Sequence, residues 1–119
     1  MVYLCNILHE YMFIYKYNFK KRKMGEKEKK RFEEAAYLLK ALANEIRLCV
    51  ILQLSEYEEK SVSELMTEMD CSQSLLSHHL TDMRAKGILS CRKSGKNCFY
   101  SIKDKRVLQL ASCVMKQYT

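Results

Sequence analysis

Hydrophobic residues recur every three to four positions along most of the chain after residue 24. The first such stretch runs from Glu26 to Ala43 and carries charged residues on its opposite face. This spacing gathers the apolar side chains on one side of a helix. A second stretch follows Asn44, a favourable N-cap residue, and continues to about Leu54. The pattern therefore predicts two consecutive amphipathic helices.

Two shorter helices are predicted next. Ser61 and Glu64 have the spacing of a capping box, in which each side chain bonds a backbone amide at the other position. The inward residues of this third helix are Val62, Leu65, Met66 and Met69. A fourth helix is predicted from Ser72 to Ala85, and Gly87 supplies the left-handed residue that ends it. Two short helices joined by a tight turn predict a helix-turn-helix.

After Gly87 the apolar period changes from 3.6 to 2, which predicts strands. The two strands are 88–92 and 98–102, and the turn between them is 93–97, so the hairpin has a basic tip. Asp104 opens a last helix with a wide apolar stripe: Val107, Leu108, Ala111, Val114, Met115 and Tyr118. The predicted fold is mainly α with a β-hairpin wing, a winged helix-turn-helix of four helices, two strands and a fifth helix.

Residues 1–23 form an N-terminal extension before the predicted domain of residues 24–119. The extension is apolar and aromatic and ends in a basic run, Lys20–Lys23, but polar residues interrupt it too often for a membrane span. Three interpretations stay open: an interfacial membrane anchor, a helical extension that packs on a partner subunit, or a segment absent from the natural product because translation starts at Met24. No stable membrane association is expected.

Size and charge narrow the function. A chain of 119 residues without proline builds one small helical core, and it contains no clustered catalytic carboxylates, Ser-His-Asp set or glycine-rich phosphate loop. An enzyme is therefore not predicted. The net charge is +7, and residues 71–119 hold nine of the 21 basic residues but only two acids, Asp82 and Asp104. The basic surface therefore includes the predicted helix-turn-helix and wing.

The outward face of the fourth helix is short, polar and almost uncharged. Its residues are Ser72, Gln73, Ser74, Ser77, His78 and Thr81. A helix that enters a major groove needs short side chains that donate to and accept from base edges, without carboxylates that phosphates would repel. Arg92, Lys93 and Lys96 of the wing are expected to contact phosphates or a minor groove beside it. These residues predict a DNA-binding surface.

Five segments in this order resemble the ArsR/SmtB-type transcriptional repressors of bacteria and archaea. They are Ala41–Leu48, Ser61–Leu65, Ser72–Leu80, Gly87–Leu89 and Phe99–Tyr100. The resemblance implies a homodimer held by the first and last helices, an inverted-repeat operator in double-stranded DNA, and release of DNA when an inducer binds. The interface residues expected on this basis are Phe32, Leu39, Val107, Leu110, Val114 and Tyr118.

No metal site and no cofactor are predicted. Where some family members carry a Cys-x-Cys metal pair, this chain has Ser61–Ser63, and serine is a poor ligand for soft metals. The last-helix metal motif is incomplete because Arg106 stands where a histidine would be needed. His79 is expected to be a structural histidine that supports the fourth helix.

The cysteines are the remaining candidate sensors. Six cysteines without a secretory signal or a CxxC motif are expected to be reduced thiols of a cytoplasmic protein. Cys49, Cys113 and Cys71 are the candidate sensor thiols, and Cys71 also stands at the positive end of the fourth helix. Cys91 and Cys98 flank the wing turn, and the register decides whether they meet.

The predicted function is a sequence-specific transcriptional regulator that acts as a dimeric repressor, with an inducer that involves thiol chemistry or a soft metal. The alternative is a winged helix that docks a protein and binds no specific DNA. Such a module would tolerate the loss of Gln73, Ser77 and His78, whereas a DNA reader would not.

Overall fold

The helices and strands lie in the order expected for a winged helix. A computed structural model describes residues 8–12 and 24–119. The elements from residue 24 onward are α1 (Glu26–Leu42), α2 (Glu45–Glu56), β1 (Lys60–Ser61), α3 (Val62–Met66), α4 (Gln73–Ala85), β2 (Leu89–Ser94), β3 (Asn97–Ile102), α5 (Arg106–Met115) and a short 3-10 helix (Lys116–Tyr118). The chain divides into two compact units, residues 1–37 and 38–119.

In the first unit, residues 8–12 are helical and exposed, and α1 begins at Glu26. Residues 1–7 and 13–23, which include the basic run at 20–23, lie outside the described residues, and so do the expectations that depend on them. Within residues 8–12 and 24–119, no helix has the length and apolar character needed to cross a bilayer.

In the second unit, side-chain caps fix where three helices begin. The Asn44 side chain accepts from the amides of Ile46 and Arg47 at the start of α2. Ser61 and Glu64 form the predicted capping box, with both bonds at 3.2 Å. Ser72 caps α4, and Gly87, with φ of 78°, follows its end as predicted. The predicted helix starts are confirmed because capping is local in sequence.

The sheet has three strands in the order β1-β3-β2, all antiparallel. The hairpin is longer than the pattern predicts: Ser94 pairs with Asn97, so a two-residue turn, Gly95–Lys96, replaces the predicted turn of 93–97. Gly95 has φ of 61°, which lets the chain reverse this tightly. Strand β1 was not predicted, because two residues cannot show a period of their own.

The core of this unit is formed by one apolar stripe from each helix and the inner face of the hairpin. Leu76, Leu80 and Met83 of α4 are fully buried, as the pattern predicts. Val107 of α5 is also fully buried within its own chain, so its predicted place at a subunit interface is wrong. Its position at the start of the α5 stripe points it toward α2 and the core, where burial stabilises the monomer.

The far end of α5 keeps an exposed apolar surface. Val114 is 46% exposed, and Tyr118 in the following 3-10 helix is 80% exposed. Leu110 is half-buried, and Leu39 near the end of α1 is 54% exposed. Phe32, in the first unit, is 42% exposed. These side chains stay accessible to a partner, unlike Val107.

Candidate nucleic-acid interface

Helix α4 presents a polar face to solvent. Gln73, Ser74, His78 and Thr81 are exposed, and Ser77 is half-buried. Because the three buried residues of α4 anchor its other side, this face is held outward by the core itself. The sequence prediction missed Leu75, which is 43% exposed near the start of the same helix.

Two hydroxyls on α4 already make local bonds. Ser72 Oγ accepts from the Leu75 amide at 3.1 Å, so Ser72 starts the helix. Thr81 Oγ1 donates to the Ser77 carbonyl at 2.8 Å, which leaves its lone pairs available. Gln73, Ser74 and His78 therefore keep the greatest freedom to bond a ligand of the helix.

Arg47 of α2 fixes the position of α4. Its Nε donates to His79 Nδ1 at 2.9 Å, and its guanidinium pairs with Asp82 at 2.6 Å. A third bond runs to the Ala41 carbonyl at 2.9 Å. The Arg47 side chain is only 12% exposed, so these bonds lie in a partly dehydrated setting where their loss is costly. The predicted structural role of His79 has a physical basis in this bond.

The protonation of this cluster follows from its contacts. Burial, then the nearby Arg47 charge, lowers the pKa of His79 below its usual 6.5. His79 therefore stays neutral and accepts the Arg47 bond at Nδ1. Hydrogen bonds from Lys86 and then Arg47 lower the pKa of Asp82, so its carboxylate remains charged between two cations. Asp82 is one of the few acidic residues of the basic segment 71–119, and the charges of Lys86 and Arg47 balance its negative charge.

In the wing, Arg92 is already engaged. Its guanidinium makes two bonds to Glu59, at 2.6 and 3.2 Å, and lies 4.8 Å from the centre of the Phe99 ring. The hydrogen bond from Arg92 lowers the pKa of Glu59. Lys93 and Lys96 are exposed near the hairpin tip. The two lysines and Arg92, which the sequence grouped together, therefore have different surroundings.

The wing cysteines are joined. Cys91 and Cys98 form a disulfide with their Cα atoms 6.0 Å apart, so the expectation of reduced thiols is wrong for this pair in the structure. The register explains why: Cys91 pairs with Tyr100 and Cys98 with Lys93, so the two cysteines are diagonal neighbours on one face of the hairpin.

The candidate sensor thiols are separated into two places. Cys49 and Cys71 line one groove of about 420 Å³ together with Glu45, Ile46, Glu68, Met69, Asp70 and Leu75. Both thiols are half-buried, and Gln53 Nε2 lies 3.6 Å from Cys49 Sγ. Cys113 is exposed on α5 and is not among the lining residues. No three His, Cys, Asp or Glu side chains of residues 8–12 and 24–119 are placed to hold a metal ion together.

Sequence reasoning missed Arg47 and Glu59, because their partners are 32 and 33 residues away. Arg47 had one available signal: it is a long cation on a helix whose other residues are mostly apolar. Glu59 had none, since it belongs to a polar segment of ordinary composition.

The fold and this surface define a class of protein. A helix-turn-helix whose second helix exposes an uncharged polar face, beside a hairpin with a basic tip, is a winged helix-turn-helix of the DNA-binding type.

Comparison with known proteins identifies the family. Residues 44–90 match the family described as "Bacterial regulatory protein, arsR family". The transcriptional activator HlyU of Vibrio cholerae is 36% identical over 71% of this chain and 78% of its own length. The arsenical resistance operon repressor of Escherichia coli K12 is 45% identical over 55% of this chain and 56% of its own.

A solved structure agrees in fold as well as in sequence. The transcriptional repressor BigR from Xylella fastidiosa superimposes with a TM-score of 0.71, at 32% identity, over 82% of this chain and 98% of its own. The chain belongs to the arsR family of bacterial regulatory proteins and is a DNA-binding transcriptional regulator.

Proposed function

We propose that the protein is a homodimeric repressor that reads an inverted-repeat operator through α4 and leaves it when an inducer reacts with its thiols. The observation that carries the proposal is the exposed, uncharged face of α4, anchored from behind by Leu76, Leu80 and Met83. Relatives named as repressors favour this direction of regulation, although HlyU is named as an activator. Such a protein acts in the cytoplasm, where the DNA is, and no catalytic step is part of the proposal.

The α4 face divides by chemistry. Gln73 can bond adenine with both ends of its amide, while Ser74, Ser77 and His78 offer single donors or acceptors to base edges. Ser72, at the start of the helix, and Thr81, past its middle, already bond the helix backbone and contribute less to base recognition. Specificity therefore rests mainly on the first two turns of α4.

The wing supplies charge without sequence information. Lys93 and Lys96 are exposed and contact phosphates, which adds affinity for any duplex. Arg92 has a different role from the one predicted: its bonds to Glu59 and its contact with Phe99 tie the wing to the segment before β1. Arg92 is thus a positioning residue for the two lysines.

Dimerisation uses the exposed apolar residues. Val114 and Tyr118, with half-buried Leu110, form an apolar surface at the end of α5 that a second copy would cover. Leu39, exposed near the end of α1, and Phe32 in the first unit are further expected contacts with the second copy. A two-fold dimer presents two copies of α4, which matches an inverted repeat.

The inducer site is the groove that Cys49 and Cys71 line. Cys49 lies on α2, and Cys71 directly precedes the Ser72 cap of α4, so a reagent that engages both thiols would act at the start of the reading helix. Cys113, which is exposed on α5, is the remaining candidate. Cys49→Ser or Cys71→Ser should abolish the response to the inducer. Cys113→Ser should preserve it.

The test is selection of bound duplexes from a random pool, followed by fluorescence anisotropy against an excess of unlabelled nonspecific DNA. We expect one enriched inverted repeat that survives the competitor. The variant Gln73→Ala should lose about 1–3 kcal/mol of binding free energy for that repeat while nonspecific binding stays the same. An enriched pool without a shared sequence would refute the proposal.

Arg84→Ala is the matched control. Arg84 is exposed near the end of α4, far along the helix from Gln73. Its loss should weaken binding to all duplexes equally, if at all. A loss of sequence preference in this control, with none in Gln73→Ala, would place the reading surface elsewhere.

A further inference from the structure

The disulfide between Cys91 and Cys98 encloses the whole tip of the wing. The two cysteines are seven positions apart, and Arg92, Lys93 and Lys96 lie between them. The closed ring therefore carries every basic side chain of the hairpin tip. No other pair of cysteines among the described residues is joined.

The hairpin tip has fewer strand partners than the rest of the sheet, so the disulfide stabilises the tip most. Strand β1 pairs with β3 only at Tyr100 and Phe99, so Cys98 and Asn97 have β2 as their one neighbouring strand in the described sheet. A two-stranded ribbon is marginally stable in water. The ion pair between Arg92 and Glu59 orients the wing, but it is exposed, and exposed pairs contribute little to the free energy of folding.

We propose that Cys91 and Cys98 are a reversible thiol–disulfide pair, a modification site in the wing, whose oxidation orders the tip and tightens binding to DNA. The part that concerns DNA rests on the proposed function. Thiols are kept reduced in a cytoplasm, so the bond forms there only under oxidising conditions. Both cysteines are half-buried and pack at the edge of the core, so neither residue is sealed from solvent.

A low-molecular-weight disulfide such as oxidised glutathione is the reacting class. The thiolate of one wing cysteine, whose proton has gone to solvent, attacks the disulfide and releases one glutathione thiolate. The second wing thiolate then attacks the mixed disulfide and releases the other. Two protein thiols and one glutathione disulfide thus give one protein disulfide and two glutathione molecules, and excess glutathione reverses both steps.

The tighter binding follows from preorganisation. In the oxidised form, Lys93 and Lys96 are held on a fixed hairpin before DNA arrives, whereas the reduced tip loses conformational freedom on binding. Preordering a loop removes part of that entropic cost. We expect about three- to tenfold tighter binding after oxidation, equally for operator and nonspecific DNA, because phosphates are contacted in both.

The experiment uses the full chain with Cys5, Cys49, Cys71 and Cys113 replaced by serine, so that only the wing pair remains. The matched control also carries Cys91→Ser and Cys98→Ser. Each is equilibrated in oxidised or reduced glutathione, alkylated and weighed by mass spectrometry. Trypsin cleavage after Lys93 and Lys96 then reports the order of the tip, and anisotropy reports DNA affinity. The wild-type protein in the same two buffers guards against a folding defect in the serine variants. Only its trypsin cleavage in the wing is compared, because Cys49 and Cys71 also react in the proposed function.

The expected result is a wing pair that resists alkylation only in the oxidised buffer, is cut more slowly by trypsin, and binds DNA more tightly, with no redox response in the control. Free wing thiols in the oxidised buffer would overturn the inference, and so would equal cleavage and affinity in both states. Absence of DNA binding in both states would refute the proposed function instead, and the cleavage rates would still decide whether oxidation orders the wing.

Discussion

The guanidinium of Arg47 joins three parts of the fold: the end of α1, His79 and Asp82. Replacing Arg47 by alanine removes, in a partly buried place, a hydrogen-bond donor to the Ala41 carbonyl, to His79 and to the Asp82 carboxylate. We expect the free energy of unfolding to fall by about 1–3 kcal/mol, measured by urea denaturation. Arg47→Lys should recover only part of the loss, because an ammonium cannot reproduce the planar fork.

Arg84→Ala serves as the control for this measurement too. Arg84 is exposed on α4, so its removal should change stability by no more than about 0.5 kcal/mol. Equal effects of the two substitutions would show that the Arg47 bonds do not hold α4 in place.

His79 makes stability depend on pH. Because its pKa in the folded chain is lowered from 6.5, the unfolded chain binds more protons just below that pH. The stabilisation is therefore complete above pH 6.5 and is lost as the pH falls toward the folded pKa. We expect the melting temperature to drop as the pH falls below 6.5. The variant His79→Asn, whose side-chain oxygen can accept the Arg47 bond, should flatten this dependence.

Arg84→Ala again gives the comparison. It removes no group that titrates near neutral pH and no bond to Arg47, so the wild-type pH dependence should remain. An unchanged slope in His79→Asn would mean that other groups cause the loss of stability in acid.

At the scale of elements, the wing lysines and Arg92 should differ in their salt dependence. Removing a phosphate contact lowers the slope of log affinity against log salt by about one for each contact. Lys93→Ala and Lys96→Ala should each lower it by about two per dimer. Arg92→Ala, which loses a bond to Glu59 and no phosphate, should weaken binding with a smaller change in slope. Anisotropy titrations at several salt concentrations measure all three, and equal slope changes would contradict the positioning role.

The elements also show what a sequence can predict. The sequence predicts Asn44 and Ser61 as caps and Ser72 as the start of α4, and each side chain bonds an amide two or three residues away. The pairing of Lys60 with Tyr100 was missed because strand partners 40 positions apart leave no local pattern. Whether Cys91 meets Cys98 depends on the strand register. The length of the turn sets that register, and the alternation of apolar residues alone does not predict it.

The candidate site divides in the same way. The α4 face could be predicted since helical periodicity alone separates Gln73 and His78 from the buried Leu76 and Leu80. The separate roles of Arg92 and Lys93 could not, because they depend on Glu59, a residue of a distant segment. Local periodicity thus predicts which residues lie on the exposed face. Tertiary contacts decide which charged side chains are available to bind a partner.

For the whole molecule, the end of α5 should determine the oligomeric state. Val114→Asp places a charge in the apolar surface with Tyr118, so we expect a monomer by sedimentation equilibrium at concentrations where the wild-type protein is a dimer. Gln109→Asp, an equally charged change on an exposed position of α5, should leave the dimer intact. A monomeric wild-type protein, or a dimer unaffected by Val114→Asp, would show that the two copies meet elsewhere or not at all.

The two-residue turn at Gly95–Lys96 sets the length of the wing. Each residue added to both strands would extend the hairpin by about 3.3 Å, close to the rise of about 3.4 Å between neighbouring base pairs. A single added pair would also exchange the two faces of the ribbon, and only an even number would keep Lys93 on its present side. In the proposed complex, the length of the wing would therefore change in steps of about two base pairs, and the turn would set how far from α4 the wing lysines can contact phosphates.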